Sequence, residues 1–298
     1  MELKNVTVCG SGVLGGQIAF QSAFHNFNVV AFDVDREVLK KLESRLQLLG
    51  EAFKKDLGAT QSEVELAVSR IIFSTDLAEA AKDADLVIEA IPENLMIKKE
   101  FYSTLGKVAP AKTIFCTNTS TLLPSMFAED TGRPERFLAL HFANNIWRQN
   151  TAEIMGHAST DPAVFDTIVD FAKKIGMLAL PIRKEQPGYI LNTLLVPFLR
   201  AGMFLYVNEV SDPQTIDKTW MKGTNSPLGP FGYLDIIGLN TPFNLYKMQA
   251  DQGDEFAQKV VPLLKERFID KGKLGISTGE GFYTYPNPAF ADEDFLKV

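Results

Sequence analysis

The stretch that decides the fold is Asn5-Val-Thr-Val-Cys-Gly-Ser-Gly-Val-Leu-Gly15, NVTVCGSGVLG. Its first five residues are a short β-branched run that predicts a strand, and the residues from Val13 to His25 predict a helix. Between them, Gly10–Gly15 matches the pattern G-x-G-x-x-G. In this setting the first glycine permits a tight turn, the second lets a ligand approach the backbone, and the third packs the helix against the strand.

This strand, glycine loop and helix predict a binding site for the diphosphate of a dinucleotide cofactor. The first N–H groups of a helix have no partner within the helix, and the helix dipole favours negative charge there. The backbone of five residues is therefore expected to face the cofactor: Gly10, Gly12, Val13, Leu14 and Gly15.

Asp33 ends a second predicted strand, which begins at Asn28. A carboxylate at this point can accept hydrogen bonds from the ribose hydroxyls of adenosine and would repel a 2′-phosphate, so the sequence predicts NAD and not NADP. The alternative is a structural glycine turn in a domain that binds no nucleotide.

Strands continue to alternate with helices through the first half of the chain. Strands are predicted over 71–74, 86–90, 113–117 and 137–141, and helices over 36–57, 75–82, 94–108 and 122–129. Such alternation is typical of a parallel sheet that is covered on both faces.

The pattern changes near the polar segment Lys184–Gly188, which is a candidate linker. Beyond it, helices are predicted over 189–209, 213–221, 239–250 and 255–271. The predicted fold is α/β: a Rossmann-type, doubly wound, mostly parallel sheet (residues 1–184) followed by a smaller all-α C-terminal domain (residues 185–298).

Composition narrows the class of protein. The 298 residues are 46% hydrophobic and 22% charged, with a net charge of −7, which is typical of a globular protein and argues against nucleic acid as a general partner. Cys9 and Cys116 lie in apolar surroundings without metal or disulfide spacing, so no metal is expected. The N-terminus has no apolar leader, and the longest apolar run, 194–207, is too short to cross a membrane. We therefore expect a cytoplasmic protein that does not bind membranes.

His141 is the candidate proton acceptor for chemistry on a nicotinamide cofactor. It ends a predicted strand, and the carboxyl ends of such strands line the ligand crevice. Oxidation of an alcohol needs a general base that titrates near neutral pH, and Glu153 can orient the imidazole. The other two histidines, His25 and His157, are expected at a helix end and in a loop. A structural role for His141 stays open on position alone.

The segment Thr117-Asn-Thr-Ser-Thr121 also follows a predicted strand. Its side chains can bind a substrate oxygen or the nicotinamide, or they can cap a helix. Spacing alone leaves both interpretations open.

At this point the chain resembles the 3-hydroxyacyl-CoA dehydrogenases, also called 3-hydroxybutyryl-CoA dehydrogenases, over nearly its whole length. Besides Gly10–Gly15, the shared motifs are Glu89-Ala-Ile-Pro-Glu-Asn94, Thr117-Asn-Thr-Ser120, Leu140-His-Phe142, Pro187-Gly-Tyr-Ile-Leu-Asn192, Gly229-Pro-Phe231 and Thr278-Gly-Glu-Gly-Phe-Tyr283. The resemblance implies NAD-dependent interconversion of short-chain 3-hydroxyacyl-CoA and 3-oxoacyl-CoA in fatty acid metabolism. It also implies a homodimer joined through the C-terminal helices.

The resemblance further implies the roles of individual residues. His141 matches the family's catalytic base and Glu153 its partner carboxylate, while Ser120 and Asn192 match residues that hold the substrate oxygen and the nicotinamide region. Two more residues, Glu93 and Lys98, match cofactor contacts.

The chain also departs from the family pattern after the histidine. Where relatives carry Phe-Phe-Asn-Pro, this chain has Phe142-Ala-Asn-Asn145, followed by Trp147 and Arg148. Relatives can offer polar and lysine contacts to CoA on the second helix, and the corresponding positions here are Leu49 and Asp56, although Lys54 and Lys55 are close.

Two alternatives stay open, the first because of these departures and the second despite the co-occurrence of Ser120, His141, Glu153 and Asn192, which argues against it. One is a dehydrogenase of a free hydroxy acid, of the gulonate type, in which Arg148 pairs with the substrate carboxylate. The other is an NAD-binding protein without turnover.

Overall fold

The computed structural model describes residues Leu3–Lys297, which form eight β-strands and eleven α-helices within that range. The strands are β1 (Asn5–Cys9), β2 (Asn28–Phe32), β3 (Ile71–Ser74), β4 (Leu86–Glu89), β5 (Ile114–Thr117), β6 (Phe137–Phe142), β7 (Thr151–Met155) and β8 (Leu178–Ile182). They form one sheet in the order β3-β2-β1-β4-β5-β6-β7-β8. The strands from β1 to β6 pair in parallel, β7 is antiparallel to β6, and β8 is parallel to β7. The predicted doubly wound, mostly parallel sheet is confirmed.

The helices follow the strands along the chain. They are α1 (Val13–Phe24), α2 (Arg36–Leu57), α3 (Gln61–Ser69), α4 (Leu77–Ala81), α5 (Leu95–Val108), α6 (Pro162–Lys174), α7 (Tyr189–Val207), α8 (Pro213–Thr224), α9 (Pro230–Ile237), α10 (Asn240–Asp251) and α11 (Glu255–Arg267). Polar side chains begin several of them, because the first N–H groups of a helix need acceptors. Asp35 accepts from the N–H of Glu37 at the start of α2, and Thr60 forms a capping box with Glu63 at the start of α3.

Alternate residues of the central strands face two separate apolar cores. Leu86 and Ile88 of β4 lie in the core that includes residues of α1, α2 and α6, whereas Val87 lies in the core with Tyr102 and Leu105 of α5. Because helices cover both faces, β4 is buried along its whole length. Burial on both sides explains its continuous apolar sequence.

One predicted helix is wrong. Residues 122–129 form no α-helix, and the segment contains the 3₁₀ turn Pro124–Met126 and the start of another, Glu129–Thr131. Pro124 disfavours helical geometry at the preceding residue, and Leu123 is extended, with φ −86° and ψ 139°.

The structure also contains elements to which the sequence analysis gave no bounds: α3, α6, α9, β7 and β8. The last of these carries Pro181, which removes a backbone donor and argues against a strand. The proline is tolerated because β8 is the edge strand of the sheet.

The chain divides into two compact units, one up to Leu191 and one from Asn192 onward. The sequence placed the boundary after residue 184. The structure assigns the first turn of α7 to the sheet unit, because Tyr189 packs with Ala139 and Met155, and the N–H groups of the next two residues bind Glu153.

Two buried carboxylates organise the second unit. Asp217 of α8 accepts from the N–H of Gly232 at 2.9 Å and from the hydroxyl of Tyr283 at 2.9 Å, while Asp235 of α9 accepts from the N–H of Tyr283 at 2.8 Å. Burial raises the pKa of both carboxyls above the usual range, although these hydrogen bonds oppose the shift. The carboxylates tie the C-terminal segment to α8 and α9.

Helix α7 is longer than its most apolar run, because it begins at Tyr189. Its length and composition are sufficient to cross a membrane, so the exclusion of a span by length was wrong. That criterion rests on length and composition only, and α7 also carries Pro197 and Arg200. The absence of membrane binding stays a prediction.

Candidate active site

Of the three motif glycines in the loop, only Gly12 has open space beside it where a ligand could lie. Gly10 has φ +94°, and a Cβ atom there would lie 2.4 Å from the carbonyl oxygen of Ala90. A Cβ atom on Gly15 would lie 1.8 Å from the carbonyl oxygen of Gly10, whereas a Cβ atom on Gly12 meets nothing within 4 Å among the described residues. The outer glycines therefore serve the fold, and Gly12, at the start of α1, faces open space that suits the predicted diphosphate.

Asp33 follows β2 and lies beside this loop. Its Oδ2 accepts from the N–H of Ser11 at 2.8 Å, and its Oδ1 accepts from the N–H of Asp35 at 3.0 Å. The glycine loop thus holds the carboxylate that was expected to bind the adenosine ribose. Its contact with the cofactor stays a prediction.

His141 and Glu153 lie directly opposite each other on the antiparallel pair β6 and β7. The imidazole Nδ1 is 3.0 Å from Glu153 Oε2, and both side chains are buried. Antiparallel pairing brings together two residues that are twelve positions apart in sequence.

The other oxygen of Glu153 accepts from the backbone of α7. The N–H of Ile190 donates to Oε1 at 2.9 Å and the N–H of Leu191 donates at 3.0 Å. Burial raises the pKa of this carboxyl, but the hydrogen bonds from His141 and from these N–H groups outweigh that effect and lower it overall. Glu153 is therefore ionised at neutral pH and can only accept hydrogen bonds.

The ionised carboxylate selects one form of the neutral imidazole. Since Glu153 accepts from Nδ1–H, the proton of a neutral His141 ring is on Nδ1 and Nε2 carries a lone pair. Ser120 Oγ is 3.2 Å from Nε2. The pair therefore leaves a basic nitrogen next to a hydroxyl group that can also contact a substrate oxygen.

Glu93 holds the turn that carries Ser120. Its Oε1 accepts from the N–H of Ser120 at 3.1 Å, from the N–H of Thr121 at 3.0 Å and from the Thr121 hydroxyl at 2.8 Å, and Thr119 Oγ1 also donates to it. Burial raises the pKa of Glu93, but the Thr119 hydrogen bond and Lys98 lower it overall. No helix follows this segment directly, so the helix-cap interpretation of the Ser and Thr residues is wrong.

Lys98 lies deeper than the sequence suggested. Its side chain is 1% exposed, and Nζ is 2.6 Å from Glu89 Oε1 and 3.3 Å from Glu93 Oε2. Glu93 therefore binds the turn that carries Ser120, and Lys98 binds Glu93. Their contacts with the cofactor stay predictions. Sequence reasoning missed Glu89, which also accepts from the hydroxyl of Thr117 at 2.7 Å.

Asn192 begins the second unit. Its predicted role at the substrate oxygen stays a prediction. Sequence reasoning also assigned no role to Tyr189, although it lies within the Pro187–Asn192 motif, and its ring stacks on His141.

The remaining histidines and the cysteines do not contribute to this arrangement. His25 Nδ1 lies 2.9 Å from the carbonyl oxygen of Gln21, and His157 Nε2 lies 3.1 Å from that of Pro134. Burial raises the pKa of the thiols of Cys9 and Cys116 well above the usual range, so both stay protonated. Within Leu3–Lys297, no group of three or more His, Cys, Asp or Glu side chains is placed to hold a metal ion.

The loop after β6 is tied to the end of α2. Trp147 Nε1 donates to Asp56 Oδ2 at 2.8 Å, the Trp147 and Phe53 rings lie 5.7 Å apart, and Arg148 Nε is 3.7 Å from Asp56. The residues that depart from the family pattern therefore contact one another. Asp56 already accepts a hydrogen bond from Trp147 and forms an ion pair with Arg148.

Comparison with known proteins agrees with the fold and the motifs. The 3-hydroxyacyl-CoA dehydrogenase NAD-binding domain matches residues 5–186, and the C-terminal domain of the same enzymes matches residues 188–285. The mitochondrial hydroxyacyl-coenzyme A dehydrogenase of Homo sapiens is 35% identical over 95% of this chain and 91% of its own length. A probable 3-hydroxybutyryl-CoA dehydrogenase of Bacillus subtilis (strain 168) is 33% identical over 96% of this chain and 98% of its own length.

Solved structures extend the comparison. One is a diketoreductase, described as carrying out substrate-directed dual catalysis of dicarbonyl compounds. It is 50% identical to this chain and superposes with a TM-score of 0.92 over 96% of this chain and 100% of its own. The (S)-3-hydroxybutyryl-CoA dehydrogenase from Ralstonia eutropha is 26% identical, with a TM-score of 0.82 over 96% of this chain and 100% of its own.

Proposed function

Because this chain belongs to the 3-hydroxyacyl-CoA dehydrogenase family and is an NAD-dependent oxidoreductase, we propose that it interconverts short-chain 3-hydroxyacyl-CoA and 3-oxoacyl-CoA with His141 as the general base and acid. The observation that carries the proposal is the buried His141–Glu153 pair, with Ser120 3.2 Å from the imidazole Nε2. A module that only bound NAD would not need this arrangement.

Each residue of the site has a separate role in the proposed reaction. NAD supplies the acceptor for the hydride that leaves C3 of the alcohol. His141 Nε2 takes the proton of the substrate hydroxyl, and Glu153 stabilises the imidazolium that results. Ser120 Oγ, which lies 3.2 Å from that nitrogen, would donate to the same oxygen as it becomes a carbonyl. In the reverse direction His141 returns the proton.

The test of this role compares two histidine variants. We expect His141→Gln to lower kcat by about 100- to 10,000-fold, because proton transfer is lost, while the Kd for NAD stays unchanged. His157→Gln is the matched control, since His157 binds the carbonyl oxygen of Pro134. A His141→Gln enzyme with wild-type kcat would contradict the proposal.

A small dicarbonyl compound without CoA is a second candidate substrate. It is favoured by the 50% identity with the diketoreductase and by Asp56, which binds Trp147 where relatives can offer contacts to CoA. NADH consumption should be followed with acetoacetyl-CoA, with an ester of a diketo acid and with free acetoacetate. A kcat/KM that is highest for acetoacetyl-CoA supports the first candidate, and one that is highest for the diketo ester supports the second. The comparisons do not favour a free hydroxy acid.

The second unit is the proposed dimer interface. It exposes large apolar side chains, including Leu194 and Phe204 of α7 and Val210 just beyond that helix, with exposed fractions of 69%, 53% and 64%. Several large apolar side chains exposed on one unit are typical of a protein with a subunit interface. A cytoplasmic location stays a prediction.

A further inference from the structure

Tyr189, the first residue of α7, stacks on the imidazole of His141. The two ring centroids are 4.5 Å apart, the planes are inclined by 26°, and Tyr189 is fully buried. We propose that Tyr189 is a positioning residue whose ring holds the His141 imidazole in the orientation that proton transfer requires. The inference rests on the proposed role of His141.

The stack supplies a restraint that the hydrogen bonds of His141 do not supply. Glu153 and Ser120 approach Nδ1 and Nε2, which lie in the plane of the imidazole. Hydrogen bonds of this kind resist movement within the plane but resist tilting weakly. An aromatic ring against one face blocks the tilt on that side, and offset stacking is a favourable arrangement of two rings.

Tyr189 is itself held in place by packing. It lies in a small buried cluster with Ala139 of β6, Met155 of β7 and Ile182 of β8, and Leu123 packs against the same cluster. A residue that orients another must have a restricted rotamer of its own, and this packing provides the restriction.

The backbone at Tyr189 points to the same role. Its φ is +57°, in the left-handed region where glycine is usual and a bulky side chain is uncommon. The conformation directs the ring toward His141, while the N–H groups of the next two residues, Ile190 and Leu191, donate to Glu153. One turn of backbone therefore restrains both members of the catalytic pair.

The first experiment separates ring stacking from simple space filling. Tyr189→Leu keeps a buried apolar side chain but removes the ring, and we expect kcat to fall about 10- to 100-fold with KM and the Kd for NAD unchanged. Tyr189→Phe keeps the ring and should restore kcat. Wild-type kcat in Tyr189→Leu, or an equal loss in Tyr189→Phe, would overturn the proposal.

The second experiment observes the stack without activity and does not require the leucine variant to fold. In proton NMR spectra of the full-length protein, the ring protons of His141 are assigned as the signals that disappear in His141→Gln. Because these protons lie over the face of the Tyr189 ring, we expect their chemical shifts to be upfield of those of the His25 and His157 ring protons. The same shifts should be unchanged in Tyr189→Phe. If the His141 ring protons of the wild-type protein had the same chemical shifts as those of His25 and His157, the stacking of Tyr189 on His141 would be contradicted.

The two experiments also distinguish this inference from the proposed function. If His141→Gln keeps its activity, the role of His141 as base fails, whatever the ring-proton signals show. If His141→Gln is inactive and Tyr189→Leu has wild-type kcat, only the positioning role fails.

Discussion

At the scale of single residues, the site depends on one ionised carboxylate. Glu153 is buried, yet three donors keep its pKa low: Nδ1–H of His141 and the N–H groups of Ile190 and Leu191. Because the carboxylate can only accept, it determines which imidazole nitrogen is basic. The charge of Glu153 is therefore as important to the proposed chemistry as its position.

This argument predicts the effect of removing the charge alone. Glu153→Gln keeps an acceptor oxygen but no longer stabilises the imidazolium, so we expect kcat to fall about 10- to 100-fold with little change in the Kd for NADH. Steady-state kinetics and a fluorescence titration with NADH measure the two quantities. Glu51→Gln, on the exposed surface of α2, is the control. If the two variants had the same kcat, the carboxylate would have no part in proton transfer.

At the scale of elements, the glycine loop performs two separable tasks. Gly10 and Gly15 allow β1, β4 and α1 to approach closely, whereas Gly12 has open space around its missing Cβ. Fold and cofactor binding should therefore respond to different glycines of the same motif.

Two alanine variants test this separation. Gly12→Ala should keep the wild-type melting temperature, since φ at Gly12 is −64°, but should weaken NAD binding at least about 10-fold, because the methyl group occupies the space for the diphosphate. Gly15→Ala should unfold at a lower temperature, because its Cβ would overlap the carbonyl oxygen of Gly10. Unchanged NAD binding in Gly12→Ala would mean that the cofactor lies elsewhere.

Asp85 connects the beginnings of three neighbouring strands. Its Oδ2 accepts from the N–H groups of Lys4 and Asn5 at 2.9 and 3.0 Å, and its Oδ1 binds Lys112 Nζ at 2.6 Å. Burial raises the pKa of Asp85, but the Lys112 hydrogen bond and the two N–H groups lower it overall. The ionised form therefore stabilises the folded state.

The lowered pKa determines the direction of a pH effect. The stabilisation by Asp85 is present above the unfolded-state pKa of about 4 and is lost as the pH falls through the lower folded-state pKa. We expect Asp85→Asn to lower the free energy of unfolding by about 1 kcal/mol at pH ~7 and by less in strong acid. Urea unfolding at both pH values measures the difference. A difference that grows in acid would show that the pKa is raised instead.

At the scale of the whole molecule, each unit has its own core. The sheet unit buries apolar residues on both faces of the sheet, and the second unit buries a separate cluster that includes Met203, Phe231 and Leu264. The second unit nevertheless leaves much of α7 exposed, including Leu194 and Phe204. Such surface is costly in water, and the proposed second copy of the chain would cover it.

The dimer proposal predicts a change in mass. Phe204→Glu places a charge on the exposed apolar face of α7, so we expect it to shift the protein from dimer to monomer in sedimentation equilibrium. Lys247→Glu, on α10, is a control that changes charge without removing an apolar side chain. A wild-type protein that sediments as a monomer would contradict the dimer.

The sequence by itself determined the doubly wound sheet and the NAD-binding glycine loop, because periodicity and turn chemistry are local properties of the chain. It singled out His141 through the match to the family's motif, since position alone left a structural role open. Only the tertiary structure decided that the reversal at β7 sets Glu153 opposite His141, that Lys98 is enclosed by Glu89 and Glu93, and that Tyr189 covers the imidazole. These contacts join residues far apart in sequence, and they depend on strand direction, register and a left-handed backbone turn. No single stretch of the chain encodes those features alone.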